Sequence, residues 1–199
     1  MSVVGVSDSN PSLFGTPSEA IAAFRGRSRS ARALLADEAT FSAFHDRTAR
    51  SLWAYLTRAS GDSSLAQDVT QESYLRLLRA DFQPESELHL RHYLFRIASN
   101  LLRDHHRRRR PAGEIEGEPA VPSAAGAREI RQDLTGAMAK LKPRERQVLW
   151  LAHVEGARHA EIAEILNLAP ASIRVIAFRA RQRMAALLRE GGITPETTR

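Results

Sequence analysis

The chain of 199 residues contains no cysteine, and only 6% of its residues are aromatic. The absence of cysteine excludes disulfide scaffolds, cysteine-ligated metal sites, thiol nucleophiles and redox switches, and it is typical of a reducing compartment. So few aromatics argue against a large β-sandwich or barrel. No run approaches the roughly 18 apolar residues of a membrane span, and residues 1–15 lack the basic start and apolar stretch of a signal peptide. We therefore expect a cytoplasmic protein with no membrane contact.

Positive charge is concentrated in two short segments of an otherwise nearly neutral chain. The formal net charge is +6. Residues 96–110 carry six arginines and one acid, and residues 170–189 carry five arginines and no acid. Charge that served only solubility would be spread over the surface, so two cationic segments indicate two contacts with a polyanion.

Apolar spacing predicts helices in both halves of the chain, and no segment alternates with the period of two that marks a strand. In the second half, the helix at 128–141 is expected to present Ile130, Leu134, Met138 and Leu141 to the core. A capping box at Thr16–Glu19 predicts a short helix in an otherwise weakly ordered N-terminal segment. The predicted helices span residues 39–60, 62–80, 88–109, 128–141, 143–155, 159–166 and 170–189.

Residues 111–127 separate the two halves and have the composition of a flexible linker, with three prolines, three glycines and no aromatic. The predicted fold class is therefore all-α, with two small helical domains on a tether. The expected organisation is a weakly ordered segment (1–38), a first domain (39–110), an acidic linker (111–127), a second domain (128–190) and a tail (191–199).

The strongest motif is a helix-turn-helix at residues 158–181. A short helix is followed by the three-residue turn 167–169 and by a longer helix that starts at Pro170 and carries arginines. Because an α-helix fits the major groove, its outward arginines and Phe178 indicate a duplex-DNA contact. A plain helical hairpin with a solvated basic face is the alternative.

Two separate regions resemble the extracytoplasmic-function group of bacterial sigma factors. Residues 161–166 (EIAEIL), 172–174 (SIR) and 178–181 (FRAR) resemble region four of that family. Residues 68–74 (DVTQESY) resemble its core-polymerase-binding helix, and 93–101 (YLFRIASNL) with Asp104 resemble its minus-ten helix. The likeness covers about residues 40–110 and 128–189, in the family's order.

The resemblance implies a promoter-specificity subunit that binds core RNA polymerase and promoter DNA, with no catalytic residues and no cofactor or metal. The loop at 82–91 and the following helix would hold the melted minus-ten strand, and the helix 170–189 would enter the duplex minus-thirty-five element. The implied minus-ten residues are Arg96, Asn100, Arg103 and Arg107. The implied minus-thirty-five residues are Ser172, Arg174, Val175, Phe178, Arg179 and Arg181.

The clamp helices of core polymerase would be contacted by Asp68, Gln71 and Glu72. The acidic linker would thread the RNA-exit channel of the polymerase. The alternative for the linker is a merely solvated spacer. The family usually carries acids just before the position of Asp68, whereas this chain has Leu65, Ala66 and Gln67. A Ser/Thr kinase acting on Ser63, Ser64 or Thr70 would restore negative charge there; compensation by other contacts is the competing explanation. An anti-sigma factor would lie on another chain.

The recognition helix also departs from the family, because Val175 and Ile176 replace a polar Ser and Arg. This substitution indicates apolar contact with thymine methyl groups.

Two other classes of protein remain open. A repressor or activator would use the helix-turn-helix alone, and a site-specific recombinase would need a catalytic Ser or Tyr constellation. The histidine pairs 105–106 and 89/92 lack cysteine or carboxylate partners at ligand spacing, so no metal site is expected.

Overall fold

The computed structural model describes residues 30–109 and 129–191, and within these ranges every regular element is an α-helix. The all-α prediction is confirmed. The short helix predicted near residue 16 and the linker 111–127 lie outside the described residues. The helices are α1 (Ala31–Leu34), α2 (Glu38–Ser60), α3 (Ser63–Arg79), α4 (Glu87–Arg109), α5 (Glu129–Ala139), α6 (Pro143–His153), α7 (His159–Leu166) and α8 (Pro170–Glu190).

Helix boundaries in the first half follow from capping residues that the sequence displays. Asp37 Oδ2 accepts a hydrogen bond from the Thr40 amide at 2.8 Å and so caps α2. Gly61 ends α2 in the left-handed region, with φ 74°. Asp62 then caps α3, because its Oδ1 accepts from the amides of Ser64 and Leu65 at 2.9 and 3.0 Å.

Helices α2, α3 and α4 pack together around a common core. Leu52, Leu77 and Leu94 are fully buried in it. The Tyr55 hydroxyl lies 2.8 Å from Ser99 Oγ, and burial raises the pKa of Tyr55 to about 12. The buried hydroxyl is therefore neutral at physiological pH and its polar atom is satisfied.

Residues 31–35 differ from the weakly ordered segment that the sequence suggests. Ser30 Oγ accepts from the Ala33 amide and caps the single turn of α1. Ala31 and Leu35 are buried in the core, and the Ala31 amide donates to the Phe82 carbonyl at 2.5 Å. The segment is too short to show helical periodicity. It is held in place by the burial of these two apolar residues and by the backbone hydrogen bond to Phe82.

The second half combines α5, α6, α7 and α8. Leu141, Leu149 and Ala180 form a small buried cluster against which Met138 and Met184 pack. The expectation that Leu134 faces the core is wrong, because its side chain is 48% exposed. Leu134 lies in an open groove that no other described element covers.

The two halves are packed against each other. Helix α2 contacts α6, and α4 contacts α7. One continuous cluster of buried side chains includes Leu52 and Leu94 from the first half and Val148, Leu151 and Ile165 from the second. The hydrophobic effect therefore acts across the contact as well as within each half.

Glu155, just after α6, is the polar centre of the contact between the halves. Its side chain has no exposed surface and accepts from Arg91 Nε at 2.6 Å. Its other oxygen accepts from the Ser51 hydroxyl and from Trp150 Nε1, the latter at 3.3 Å. A buried carboxylate needs such donors, and two of these three residues belong to the first half.

We predict that Asp62→Ala lowers the free energy of unfolding by about 1 kcal/mol, because two amides at the start of α3 lose their side-chain acceptor. Chemical denaturation followed by circular dichroism measures the change. Gln83→Ala, at an exposed loop position, is the control and should differ from the unmodified chain by less than about 0.5 kcal/mol. Equal stability of the two variants would contradict the capping role.

Candidate nucleic-acid interface

Helices α7 and α8 and the turn 167–169 form the predicted helix-turn-helix. Asn167 adopts the left-handed conformation with φ 51°, and the Leu168 amide donates to the Ala163 carbonyl at 2.9 Å. Ile173 and Ala177 of α8 are fully buried. This anchoring turns the opposite face of α8 toward solvent.

The outward face of α8 combines cations with unusually exposed apolar groups. Val175 is 47% exposed and Phe178 is 59% exposed. Monomeric surfaces carry isolated apolar residues without consequence, but these two lie on one helix face among arginines, where a base edge or methyl group would sit. All six predicted minus-thirty-five residues are exposed: Ser172, Arg174, Val175, Phe178, Arg179 and Arg181.

The predicted minus-ten residues on α4 differ in their surroundings. Arg96 and Arg107 are exposed, and Asn100 is half-buried. Arg103 is also half-buried, and its Nη2 donates to the carbonyl of Leu166 at 2.7 Å. Because Leu166 is the last residue of α7, Arg103 binds a carbonyl that the helix leaves without an internal partner.

An aromatic stack that the sequence analysis did not single out lies beside Arg96. The rings of Phe82 and Tyr93 are parallel within 5°, with centroids 3.9 Å apart. His89 packs edge-on against Phe82 at 4.8 Å, and the Arg96 guanidinium lies 5.2 Å from the centroid of the Tyr93 ring. Stacked rings next to an arginine are the elements of a single-strand binding surface. The sequence signal that could have indicated this stack was Phe82, an aromatic residue in the loop before α4.

A cavity of about 370 Å³ lies between this stack and α7. Phe82, Tyr93 and Arg96 line it from the first half, and Glu161 and Glu164 line it from the second. Hydrogen bonds from Arg158 hold the pKa of Glu161 below its usual range. An ionised carboxylate therefore lies opposite the predicted strand-binding surface.

A second surface, which we call the α3 stripe, lies on the outer face of α3. Asp68 and Gln71 are exposed, and the Glu72 side chain is 44% exposed. Leu75, which the sequence analysis did not name, is 47% exposed one turn further on. Glu72 accepts from Arg76 at 2.7 Å, but an exposed pair of this kind contributes only about 0.5 kcal/mol. The stripe is therefore available to another protein.

The three candidate phosphorylation residues differ in accessibility. Ser63 and Ser64 are exposed in the first turn of α3. The Thr70 hydroxyl is half-buried and donates to the Ala66 carbonyl at 2.7 Å. A kinase would reach the two serines more readily than Thr70.

An apolar groove of about 420 Å³ runs along α5, α6 and α8. Leu134, Met138, Trp150 and Val154 contribute to its floor and walls. Its charged lining residues are cationic, Arg58 and Arg181, and Arg58 stacks over Trp150 at 4.8 Å. An apolar channel with basic edges suits an amphipathic helix with acidic flanks.

Two family models match the two halves. Residues 44–112 match sigma-70 region 2, and residues 131–184 match sigma-70 region 4. The first match includes the α3 stripe and α4, and the second includes the helix-turn-helix. Both cationic surfaces therefore fall within recognised regions.

Curated relatives match over most of their length. The sigma factor SigL of Mycobacterium tuberculosis is 30% identical over 173 residues, which cover 81% of this chain and 96% of SigL. SigM of Bacillus subtilis is 29% identical over 147 residues, or 70% of this chain and 90% of SigM. Both bear the description of extracytoplasmic-function (ECF) RNA polymerase sigma factors.

Solved structures share the fold. The sigma factor RpoE of Bartonella quintana, solved in complex with the anti-sigma factor NepR, superposes with a TM-score of 0.59. The identity is 24%, over 75% of this chain and 96% of RpoE. CnrH, solved with the cytosolic domain of CnrY, gives a TM-score of 0.55 over 77% of this chain and 90% of CnrH.

Sigma-70 regions 2 and 4 on one chain define an RNA polymerase sigma factor, the subunit that directs promoter recognition. With its 30% identity over nearly all of SigL, the chain belongs to the ECF group of sigma factors. The region 2 match decides against a regulator that uses a helix-turn-helix alone. None of the helices in the described part of the chain has the length and hydropathy to cross a membrane.

We predict that Val175 discriminates thymine from uracil in the minus-thirty-five element. Loss of one methyl contact corresponds to about 0.8 kcal/mol, or about fourfold in affinity. Duplex promoters with uracil in place of single thymines are titrated with the holoenzyme. Uracil at one thymine position should weaken binding by the unmodified chain but should not weaken binding by Val175→Ser. The exposed control Gln182→Ala should still distinguish thymine from uracil at that position. Equal sensitivity of Val175→Ser would contradict the contact.

Proposed function

We propose that the two halves, residues 39–110 and 128–190, divide the promoter between them. Helix α8 reads the duplex minus-thirty-five element through its exposed arginines, Val175 and Phe178. Helix α4 and the loop before it hold the melted minus-ten strand, with bases on the Phe82–Tyr93 stack and phosphates on arginines such as Arg96. The observation that carries this proposal is the difference between the surfaces. A helix-turn-helix suits closed duplex, whereas stacked aromatics beside a cation suit an opened strand.

The outer face of α3 is the proposed docking surface for core polymerase. Asp68, Gln71 and Glu72 would meet the clamp helices, and Leu75 adds an apolar group one turn further along. Apolar centres with polar surroundings are the usual anatomy of an interface. The acidic linker 111–127 is proposed to occupy the RNA-exit channel, where its charge would be complementary to a basic lining.

Phosphorylation at the start of α3 is the proposed means of strengthening this docking. A phosphate on Ser63 or Ser64 would add about −1.5 to −2 charge at a helix N-terminus, where the backbone dipole favours anions. Thr70 remains the third candidate, because it lies between Asp68 and Gln71 in the sequence. A Ser/Thr kinase is the corresponding partner.

An anti-sigma factor on another chain is the second proposed regulator. Of the structural neighbours described above, RpoE was solved with the anti-sigma factor NepR, and CnrH was solved with the cytosolic domain of CnrY. The groove along α5, α6 and α8 fits an amphipathic partner helix, since its floor is apolar and Arg58 and Arg181 would attract acidic flanks. Sigma factors are regulatory subunits; we infer that this one has no catalytic activity of its own and acts in the cytoplasm, where polymerase transcribes.

We predict that Asp68→Ala combined with Glu72→Ala weakens binding to core polymerase at least about tenfold, because truncating one partner of a buried charge pair at an interface typically costs about 2 kcal/mol or more. Fluorescence anisotropy of labelled chain titrated with core measures the affinity. The control is Glu38→Ala combined with Asp46→Ala, which removes two acids from α2. Unchanged helical content shows that α3 still folds, and unchanged affinity in the α3 variant would contradict the docking surface.

Run-off transcription tests the function itself. Purified core polymerase with this chain should start RNA synthesis at a defined set of sites on genomic DNA, and mapping those sites reveals the promoter elements. Core polymerase alone is the control and should give no specific starts. If neither the unmodified nor the kinase-treated chain directs specific initiation, the proposed function is wrong.

A further inference from the structure

The groove along α5, α6 and α8 has a half-buried cation at one edge. Arg58 of α2 donates from Nη1 to the Ala54 carbonyl of its own helix at 3.3 Å, and its guanidinium lies 4.8 Å from the centroid of the Trp150 ring. None of the ion pairs within residues 30–109 and 129–191 includes Arg58. Burial lowers the pKa of Arg58, but a guanidinium stays charged at physiological pH. An anion at this edge would therefore compensate for the water that Arg58 has lost.

The lining beyond Arg58 is largely apolar. Leu134 and Val154 expose about half of their surface into the groove, and Met138 and Met184 are half-buried along it. Methionine side chains are unbranched and flexible, so they adapt to the shape of an apolar ligand. The volume of about 420 Å³ lies within the range of small-molecule sites. The groove therefore offers room for an alkyl chain.

The charges around the groove select the head group of such a ligand. Arg181 lies at another edge, and no acidic side chain from the described part of the chain lines the groove. A carboxylate binds a guanidinium through two parallel hydrogen bonds. A cationic head group would be repelled by both arginines, and a neutral one would leave Arg58 without an anion. The complementary ligand has one carboxylate at the end of an unbranched apolar chain.

We propose that this groove is a binding site for a long-chain fatty acid, with the carboxylate on Arg58 and the alkyl chain along Trp150, Met138 and Met184. The acid would cover the same apolar surface as the partner helix proposed above, so the two occupants would exclude each other. Neither Arg58 nor Trp150 belongs to the surfaces assigned to DNA or to core polymerase. The site can therefore be tested on the free chain without reference to transcription.

Three amphiphiles with the same alkyl chain test the choice of head group. The chain has two tryptophans, and Trp53→Phe leaves Trp150 as the single fluorescent reporter in the groove. Dodecanoate, dodecanol and dodecyltrimethylammonium are titrated below their micelle-forming concentrations. Dodecanoate should shift Trp150 emission to shorter wavelength and bind at least about tenfold more tightly than either of the others, because only it gains a charged hydrogen bond. Equal affinities, or no binding of dodecanoate, would overturn the proposal.

Removal of the cation tests the role of Arg58. In the same background, Arg58→Gln should lower the affinity for dodecanoate to that for dodecanol, while dodecanol binding stays unchanged. The control is Arg50→Gln, which removes an exposed arginine from the same helix and should leave both affinities unchanged. Circular dichroism shows whether α2 remains folded. Unchanged selectivity for dodecanoate in a folded Arg58→Gln chain would contradict the assignment.

Filling the groove provides a second test that leaves Arg58 in place. Ala185 is exposed and lines the groove, so Ala185→Phe adds a ring there without crowding the core. It should weaken dodecanoate binding at least about tenfold, since displacement of even two methylene groups costs that much. The control is Ala43→Phe, at an exposed position of α2 outside the groove. Equal binding by both variants would overturn the site.

Run-off transcription separates this inference from the proposed function. A chain that directs initiation but does not bind dodecanoate would retain the sigma function and refute the fatty-acid site. A chain that binds dodecanoate selectively through Arg58 but does not direct initiation would refute the proposed function and leave the site in place.

Discussion

A buried carboxylate that is satisfied only by donors from two halves of the chain is the constraint on which the rest of the structure depends. Glu155 lies fully inside the protein, and two of its three donors come from α2 and α4. A carboxylate buried without these donors would be strongly destabilising. The same group in water is well hydrated, so a buried pair contributes little net stability. Such a contact specifies one arrangement of the two halves.

The contact between the halves gives the two cationic surfaces different surroundings. The outward face of α8 is exposed while the halves are together, whereas α4 has Arg103 on the Leu166 carbonyl and two carboxylates across the cavity from Arg96. The two predicted nucleic-acid surfaces therefore differ in how far their side chains are already engaged within the chain.

Most of the local structure could be predicted from sequence because its determinants are local. Asp62, Gly61, Pro143 and Pro170 mark helix ends through capping and backbone geometry, and apolar spacing identifies the buried faces of α4 and α8. Leu134 was misplaced because helical periodicity shows which face is apolar but not whether another element covers it. Helix α1 was missed because a single turn is too short to show helical periodicity, and it depends largely on tertiary contacts besides its Ser30 cap.

The contact between the halves could not be predicted, for a related reason. Ser51 and Glu155 are 104 residues apart, and neither residue type indicates burial in its local sequence. A glutamate before a glycine reads as an exposed loop position. Likewise, the spacing of basic residues along α4 predicted that Arg103 contacts nucleic acid, but it gave no sign of the Leu166 carbonyl that Arg103 binds. Long-range docking of two folded halves leaves no periodic signal in either one.

The distance between the halves in the free chain tests the central claim most directly. Spin labels on Ser42→Cys of α2 and Lys140→Cys beside α6 can be placed specifically because the chain has no cysteine of its own. Pulsed electron paramagnetic resonance should give one narrow, short distance between the two labels in the free chain. A broad distribution of distances would contradict the account.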